Sequence, residues 1–295
     1  MRQVAVRIGK TEHEREIVRM ELGSADKTED LERRPKVGAG YMEHAPPPDL
    51  ADYVSCFWTT LVVPGEGQAP RTEHRVLPDG CVDILIAFAN GTEVTEATGV
   101  GSMTRPLIIT SEPPRLYIGA RFSPGCAFAA LGIPASELTD DNVEYARLAR
   151  DAESDLEGLS RESTNDDRLQ AVIRLVQRRL FTRPVVPASV RAAVRRVATA
   201  HGNLRVADLA SEIGITRQQL ARQFATHVGV TPKTFARVMR ARTALARADA
   251  ARATYPRIVD WSAIAYDLGY YDQPHFIDDF KALTGVTPGK WRVEV

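Results

Sequence analysis

The chain has 295 residues, 44% of them hydrophobic and 26% charged, with a mean hydropathy of -0.22. That length suits about two domains, and that composition buries ordinary cores, which excludes wholesale disorder. The net charge of zero hides an asymmetry: residues 1–180 carry 21 Lys+Arg against 29 Asp+Glu, and residues 181–295 carry 17 against 9. An acidic front joined to a basic back points to an anionic partner for the back half, nucleic acid first, or to attraction between the halves.

No run of residues approaches the ~20 apolar positions that cross a bilayer, and the opening MRQVAVRIGKTEHEREIVRM is too charged for a signal peptide. The expectation is a cytoplasmic protein without a membrane partner. Cys56, Cys81 and Cys126 are odd in number and lack CxxC spacing, so buried free thiols are expected in place of a disulfide framework or a four-cysteine zinc site. No metal and no other cofactor is expected. Residues 1–38 are charge-rich with one short apolar run, Gln3 to Ile8, and read as a partly ordered tail.

Residues 39–150 carry short runs of Val, Ile, Phe, Trp and Tyr between Pro, Gly and Asn clusters, a β-rich pattern. Strands are expected at Val54–Val62, Arg75–Leu77, Val82–Phe88, Leu107–Thr110 and Arg115–Phe122. A turn is expected at Leu77-Pro78-Asp79-Gly80, because Pro presets φ and Gly accepts a positive one. The domain reads as a small barrel or sandwich closed by a short helix around Gly125–Leu131. If it senses a small molecule, Trp58, Asp83, Tyr117 and Arg121 are the candidates for its pocket, each lying in an expected strand. The competing expectation is that Asp83 and Arg121 form a structural ion pair or face solvent. Cys81 and Cys126 adjoin Gly-bearing turns and His74 lies near Cys81, but without paired spacing neither a redox switch nor a metal site is expected.

Residues 151–184 form a helical connector. The acidic run Asp151–Glu157 reads as a solvated face, and Leu169, Val172, Ile173, Val176 and Leu180 recur at amphipathic-helix spacing. That face suits either a second copy of the chain or the helix's own domain.

Residues 185–295 contain a repeat. GVTP occurs at 229–232 and again at 285–288; at the same spacing Phe224 matches Phe280 and Phe235 matches Trp291. Each unit reads as helix, Gly-containing turn and second helix, the helix-turn-helix layout. In the first, Val206–Ile213 supports, Gly214 turns, and Thr216 opens the next helix with Gln219 completing a capping box. Leu220 and Phe224 face inward, leaving Arg217, Gln218, Ala221 and Arg222 outward. Arg suits guanine, Gln suits adenine, and Ala allows close approach or meets a thymine methyl. In the second, Ser262–Leu268 supports and Gln273–Leu283 reads, with Phe276 and Phe280 inward, Tyr271, Asp272, Gln273, His275, Ile277 and Asp278 outward, and Lys281 available to the DNA backbone. Asp278 and Asp279 are expected to bring negative charge toward phosphate and weaken this unit.

The segments VADLASEIGITRQQLARQF and IAYDLGYYDQPHFIDDFKALTGVTP resemble the DNA-binding domain of the AraC/XylS family of bacterial transcription regulators. The resemblance spans Leu204 to Trp291. It implies two helix-turn-helix units joined by a long helix, here Thr234–Ala248, with their second helices in adjacent major grooves on one DNA face. It also implies contacts from Gln218, Ala221 and Arg222, supported by Arg217, and from Gln273, Pro274 and Asp278, with His275 beside them. Many members carry a basic residue where this chain has Asp278. RVLPDGCVDILIAF and GARFSPGCAFAALGIPASELTD resemble an uncharacterised sensor domain found on a subset of these regulators.

GxSxG, HExxH, Walker and post-strand GxGxxG signatures are absent, and three cysteines do not supply the four-cysteine zinc centre of a DNA-alkyl repair domain. The expectation is an α+β, non-enzymatic, sequence-specific transcription regulator. Its expected partners are double-stranded DNA, a small-molecule effector, RNA polymerase and a second copy of the chain. The rival expectation is a ligand-binding or metabolic protein whose C-terminal helices are an interaction module, distinguished by a flat salt dependence of DNA retention.

Overall fold

The computed structural model describes residues 40–62, 72–89, 93–111, 115–149, 151–181, 185–254 and 259–291. The charged N-terminal stretch lies outside the described residues.

Among the described residues there are eight strands: β1 (Met42–His44), β2 (Val54–Val62), β3 (Thr72–Val76), β4 (Val82–Ala89), β5 (Glu93–Val100), β6 (Leu107–Ser111), β7 (Arg115–Phe122) and β8 (Asn142–Glu144). Six form an antiparallel sheet in the order β1-β2-β7-β4-β5-β8, while β3 and β6 pair as a separate ribbon. Four of the five expected strands stand within one residue of their expected ends. The fifth, Arg75–Leu77, is displaced to Thr72–Val76, because Leu77 already belongs to the turn toward Gly80. Strands β1, β5 and β8 were not expected; EVTEATGV is rich in Glu, Thr and Gly, and its place in the sheet comes from long-range pairing with β4.

Period-2 alternation gives the sheet two distinct faces. Phe57, Ile84, Ile86, Phe88, Leu116, Ile118, Ala120 and Phe122 are all buried on one of them. Against it pack α1 (Ala127–Leu131), α2 (Tyr145–Leu148), α3 (Ala152–Ser160) and the 17-residue α4 (Asn165–Phe181). Leu169, Val172, Ile173 and Val176 of α4 are buried there, so the amphipathic face of the connector is used within the chain. Arg179 ties the helix down by donating to the Leu148 carbonyl (2.9 Å) and covering the Tyr145 ring at 5.0 Å from its centroid.

The described residues from 185 onward hold six α-helices: α5 (Ala188–Thr199), α6 (Val206–Ile213), α7 (Arg217–His227), α8 (Pro232–Thr254), α9 (Trp261–Asp267) and α10 (Gln273–Thr284). The first helix-turn-helix shares one apolar core with the sheet, running from Phe57 and Ile84 through Val172 and Val190 to Leu220, Phe224 and Phe235. The second has its own core, with Phe276, Phe280, Leu268 and Trp291 closing on Ala244, Leu245 and Ala248 of α8. The long helix α8 therefore belongs to both.

Candidate nucleic-acid interface

Local chemistry fixes the first reader. Gly214 ends α6 at φ 76°, the left-handed conformation glycine adopts cheaply. Thr216 caps α7 by accepting from the Gln219 backbone amide, and Gln219 Oε1 accepts in turn from the Thr216 backbone amide, completing the capping box. Leu220 and Phe224 are buried. Arg217, Gln218, Ala221 and Arg222 are all exposed, and their spacing puts them on one side of the first two turns of α7. Among the described residues the Arg217, Gln218 and Arg222 side chains have no internal partner. They stand ready for an external one.

In the second reader, Asp272 caps α10 by accepting from the His275 amide (2.8 Å), and Phe276 and Phe280 are buried. Gln273, His275, Asp278 and Lys281 are exposed, with the His275 ring edge-on to Tyr270 at 5.3 Å. One expectation is corrected. Asp279 does not face outward: it is buried, accepts from Arg237 of α8 at 2.6 Å and lies 3.4 Å from the Tyr270 hydroxyl. Burial first, and then the Asp279 charge, push the Tyr270 phenol well above its ordinary range, so it remains a donor. Asp278 alone carries negative charge on the outward face of that helix.

Many arginines of the back half have partners inside the chain. Arg191 pairs with Asp52, Arg196 with Glu212, Arg237 with Asp279, Arg242 with Asp79 and Arg247 with Asp267, two of these pairs reaching into the front half. The two readings of the charge asymmetry thus both have residues behind them. Arg195, Arg217, Arg222, Lys233, Lys281 and Lys290 are exposed and lack an internal partner among the described residues.

The four residues proposed for an effector share the sheet face opposite the apolar core. The register sets Arg121 beside Asp83 and Cys56, Gly119 beside Trp58, and Tyr117 beside Thr60. A side chain at position 119 would meet the Trp58 ring at 2.1 Å, so only glycine lets that ring lie across β7. Trp58 Nε1 donates to Asp83 (2.9 Å), and Arg121 Nε stands 3.3 Å from Asp83 and 3.6 Å from Asp79. Asp83 and Arg121 do form the ion pair that was the competing expectation. Tyr117 lies on the same face, and among the described residues no hydrogen bond, ion pair or ring contact joins it to that network. Asp79 continues the network to Arg242 of α8 at 3.9 Å. The three cysteines are buried, and burial pushes the Cys126 thiol up to about 11, an unreactive state near neutral pH. Among the described residues no His, Cys, Asp and Glu group has the makings of a metal site.

Sequence reasoning missed how the front half grips the repeat. Ser102 donates to the Val228 carbonyl and Thr139 to the Gly229 carbonyl, in the turn that follows the first reader. Arg75 donates to the Thr284 carbonyl (3.1 Å), the equivalent turn after the second. His227, at the end of α7, stacks edge-on against Phe128 of α1 at 5.6 Å. Burial lowers the His227 pKa from the usual 6.5, and burial lowers that of His44 as well. Both bind protons more readily when unfolded than when folded, so this contribution to stability is full above the unfolded value of about 6.5 and is lost as pH falls below it. A fall in melting temperature between pH 7 and pH 5 is expected, and His227→Gln should flatten it. An identical decline in that variant would show that His227 contributes nothing.

These features define the class: a β-sheet domain joined to a tandem helix-turn-helix, the plan of a DNA-binding transcription regulator. Residues 209–294 match the helix-turn-helix domain family and residues 42–144 match a domain of unknown function, DUF6597. The C-terminal domain is of the AraC type. No curated protein matches the chain. A solved structure of ToxT from Vibrio cholerae is similar at 13% identity over 75% of this chain and 96% of its own, with a TM-score of 0.37. Another form of ToxT, bound to (E)-4-(8-methylnaphthalen-1-yl)but-3-enoic acid, is similar at 14% identity over 75% of this chain and 96% of its own, also at 0.37.

Proposed function

We propose that the chain is a cytoplasmic, non-enzymatic regulator that binds a specific double-stranded DNA site through α7 and α10 and answers to a small molecule bound by its front half. The observation that carries the DNA reading is the outward, unpartnered set Arg217, Gln218 and Arg222 at the start of a capped recognition helix. Phosphate contacts from Lys233, Lys281 and Lys290 would supply salt-dependent affinity, and the first reader most of the base discrimination. Arg222→Ala is expected to weaken specific binding by about 1–3 kcal/mol in a salt-controlled gel shift. Unchanged affinity would remove Arg222 from the interface, and a salt-independent interaction would favour a protein-interaction module.

On this proposal the effector engages the face of Trp58, Asp83, Tyr117 and Arg121. The shared arginine supports a route from there to the DNA-binding half: Asp83 and Asp79 both meet Arg121, and Asp79 meets Arg242 on α8. A ligand that reorganises Arg121 would change what holds α8. Division of the chain into residues 39–150, 151–184 and 185–295 is the working scheme for separating these roles.

A further inference from the structure

We propose that Asp278 is a base-specificity determinant of the second reader, selecting a base that offers an exocyclic amino donor in the major groove, cytosine first, and rejecting guanine. This rests on the DNA-binding reading above and extends it to one residue and one base.

The repeat sets the position. At a spacing of 56, Asp278 falls where the first unit has Arg222, Phe276 where it has Leu220 and Phe280 where it has Phe224. The inward residues of both helices are buried and the outward ones exposed, so Asp278 occupies on α10 the place that Arg222 occupies on α7.

The other carboxylates of the unit show why Asp278 stands apart. Residues 259–291 contain five aspartates. Asp260 caps α9 through the Ser262 and Ala263 amides, and Asp272 caps α10. Asp267 pairs with Arg247 at 3.0 Å, and Asp279 with Arg237. Each of these four does structural work. Asp278 is exposed and has no partner among the described residues. A carboxylate facing DNA is repelled by phosphate, a cost that a donor on a base edge would offset. Base edges supply one: cytosine N4 donates to an Asp carboxylate, whereas guanine presents only the O6 and N7 acceptors. Lys281, one turn further along and unpartnered, is placed to hold phosphate while Asp278 reads.

The test is selection of binding sites from randomised duplex DNA by the full chain, alongside D278N, D278R and D278A, with melting temperatures measured for all four. The expected result is a bipartite site with one position in its second half that favours cytosine by roughly 5- to 150-fold over guanine. That preference should move to adenine in D278N and to guanine in D278R, and flatten in D278A, with the first half unchanged. Variants that melt like the parent yet keep its preference at every position would overturn the inference and leave DNA binding standing. A uniform gain in affinity across sequences in D278A would also overturn it, since that is the signature of repulsion alone. Failure of the parent chain to enrich any sequence would overturn both the inference and the function it rests on.

Discussion

Arg237→Ala is expected to cost about 3–5 kcal/mol, the penalty for leaving a buried carboxylate without its cation. Asp279 is only 6% exposed, and its close partner is the Arg237 guanidinium; the Tyr270 hydroxyl at 3.4 Å is a weak substitute. The effect should be asymmetric. The Arg237 side chain is 35% exposed, so Asp279→Ala leaves behind a charge that water can reach and should cost less. Replacing both residues by Leu should recover much of the loss, because apolar packing commonly matches a buried pair. Urea titrations of the three variants check this, and equal losses in both single variants would show that burial of Asp279 is not the source. The functional consequence follows from location. Arg237 lies on α8 and Asp279 on α10, so the pair fixes the second reader against the helix it shares with the first, and DNA affinity should fall with Arg237→Ala even where the protein remains folded.

That ion pair also marks the boundary of what the sequence discloses. Helices α6 and α7, the Gly214 turn and the capping box were legible residue by residue, because caps, turns and 3.6-residue periodicity are local. Duplication made the second unit legible from the first. Asp279 was misread because a carboxylate was taken to face water, although its spacing, three after Phe276 and four before Leu283, sets it on the buried stripe; what makes that burial tolerable is a guanidinium 42 residues away. The same holds for β5, whose Glu- and Thr-rich sequence becomes a strand through β4, and for the arginines of α5 and α8, whose number suggested a large cationic footprint but whose partners are mostly internal. On the sheet, the sequence placed the candidate residues in strands but assigned them no common face. Trp58, Asp83 and Arg121 meet through cross-strand register, which is set by pairing and is not written in any one strand.

Phe235→Ala should cost about as much, roughly 3–5 kcal/mol, for a different reason: truncating a fully buried aromatic loses its transfer energy and leaves a cavity. Two neighbours make the site unable to collapse. Phe224, the inward anchor of the first reader, meets the Phe235 ring edge-on at 5.9 Å. From the front half, Gly80 sits so close that a side chain there would reach the ring at 2.5 Å. Gly80 also has φ 76°, so this approach depends on the glycine that the Pro-Asp-Gly turn supplies. One ring therefore links the turn holding Asp79, the long helix and the first reader. Because the first helix-turn-helix shares its core with the sheet while the second has its own, the two large variants should unfold differently. Arg237→Ala should loosen the second unit first, with protection lost from hydrogen exchange around Phe276 and Phe280. Phe235→Ala should lower protection in the sheet and in α7 together. If protection instead fell only within α7, the ring would be a support for the reader alone, and coupling between the front half and the DNA-binding half would have to run through Ser102, Thr139 and Arg75.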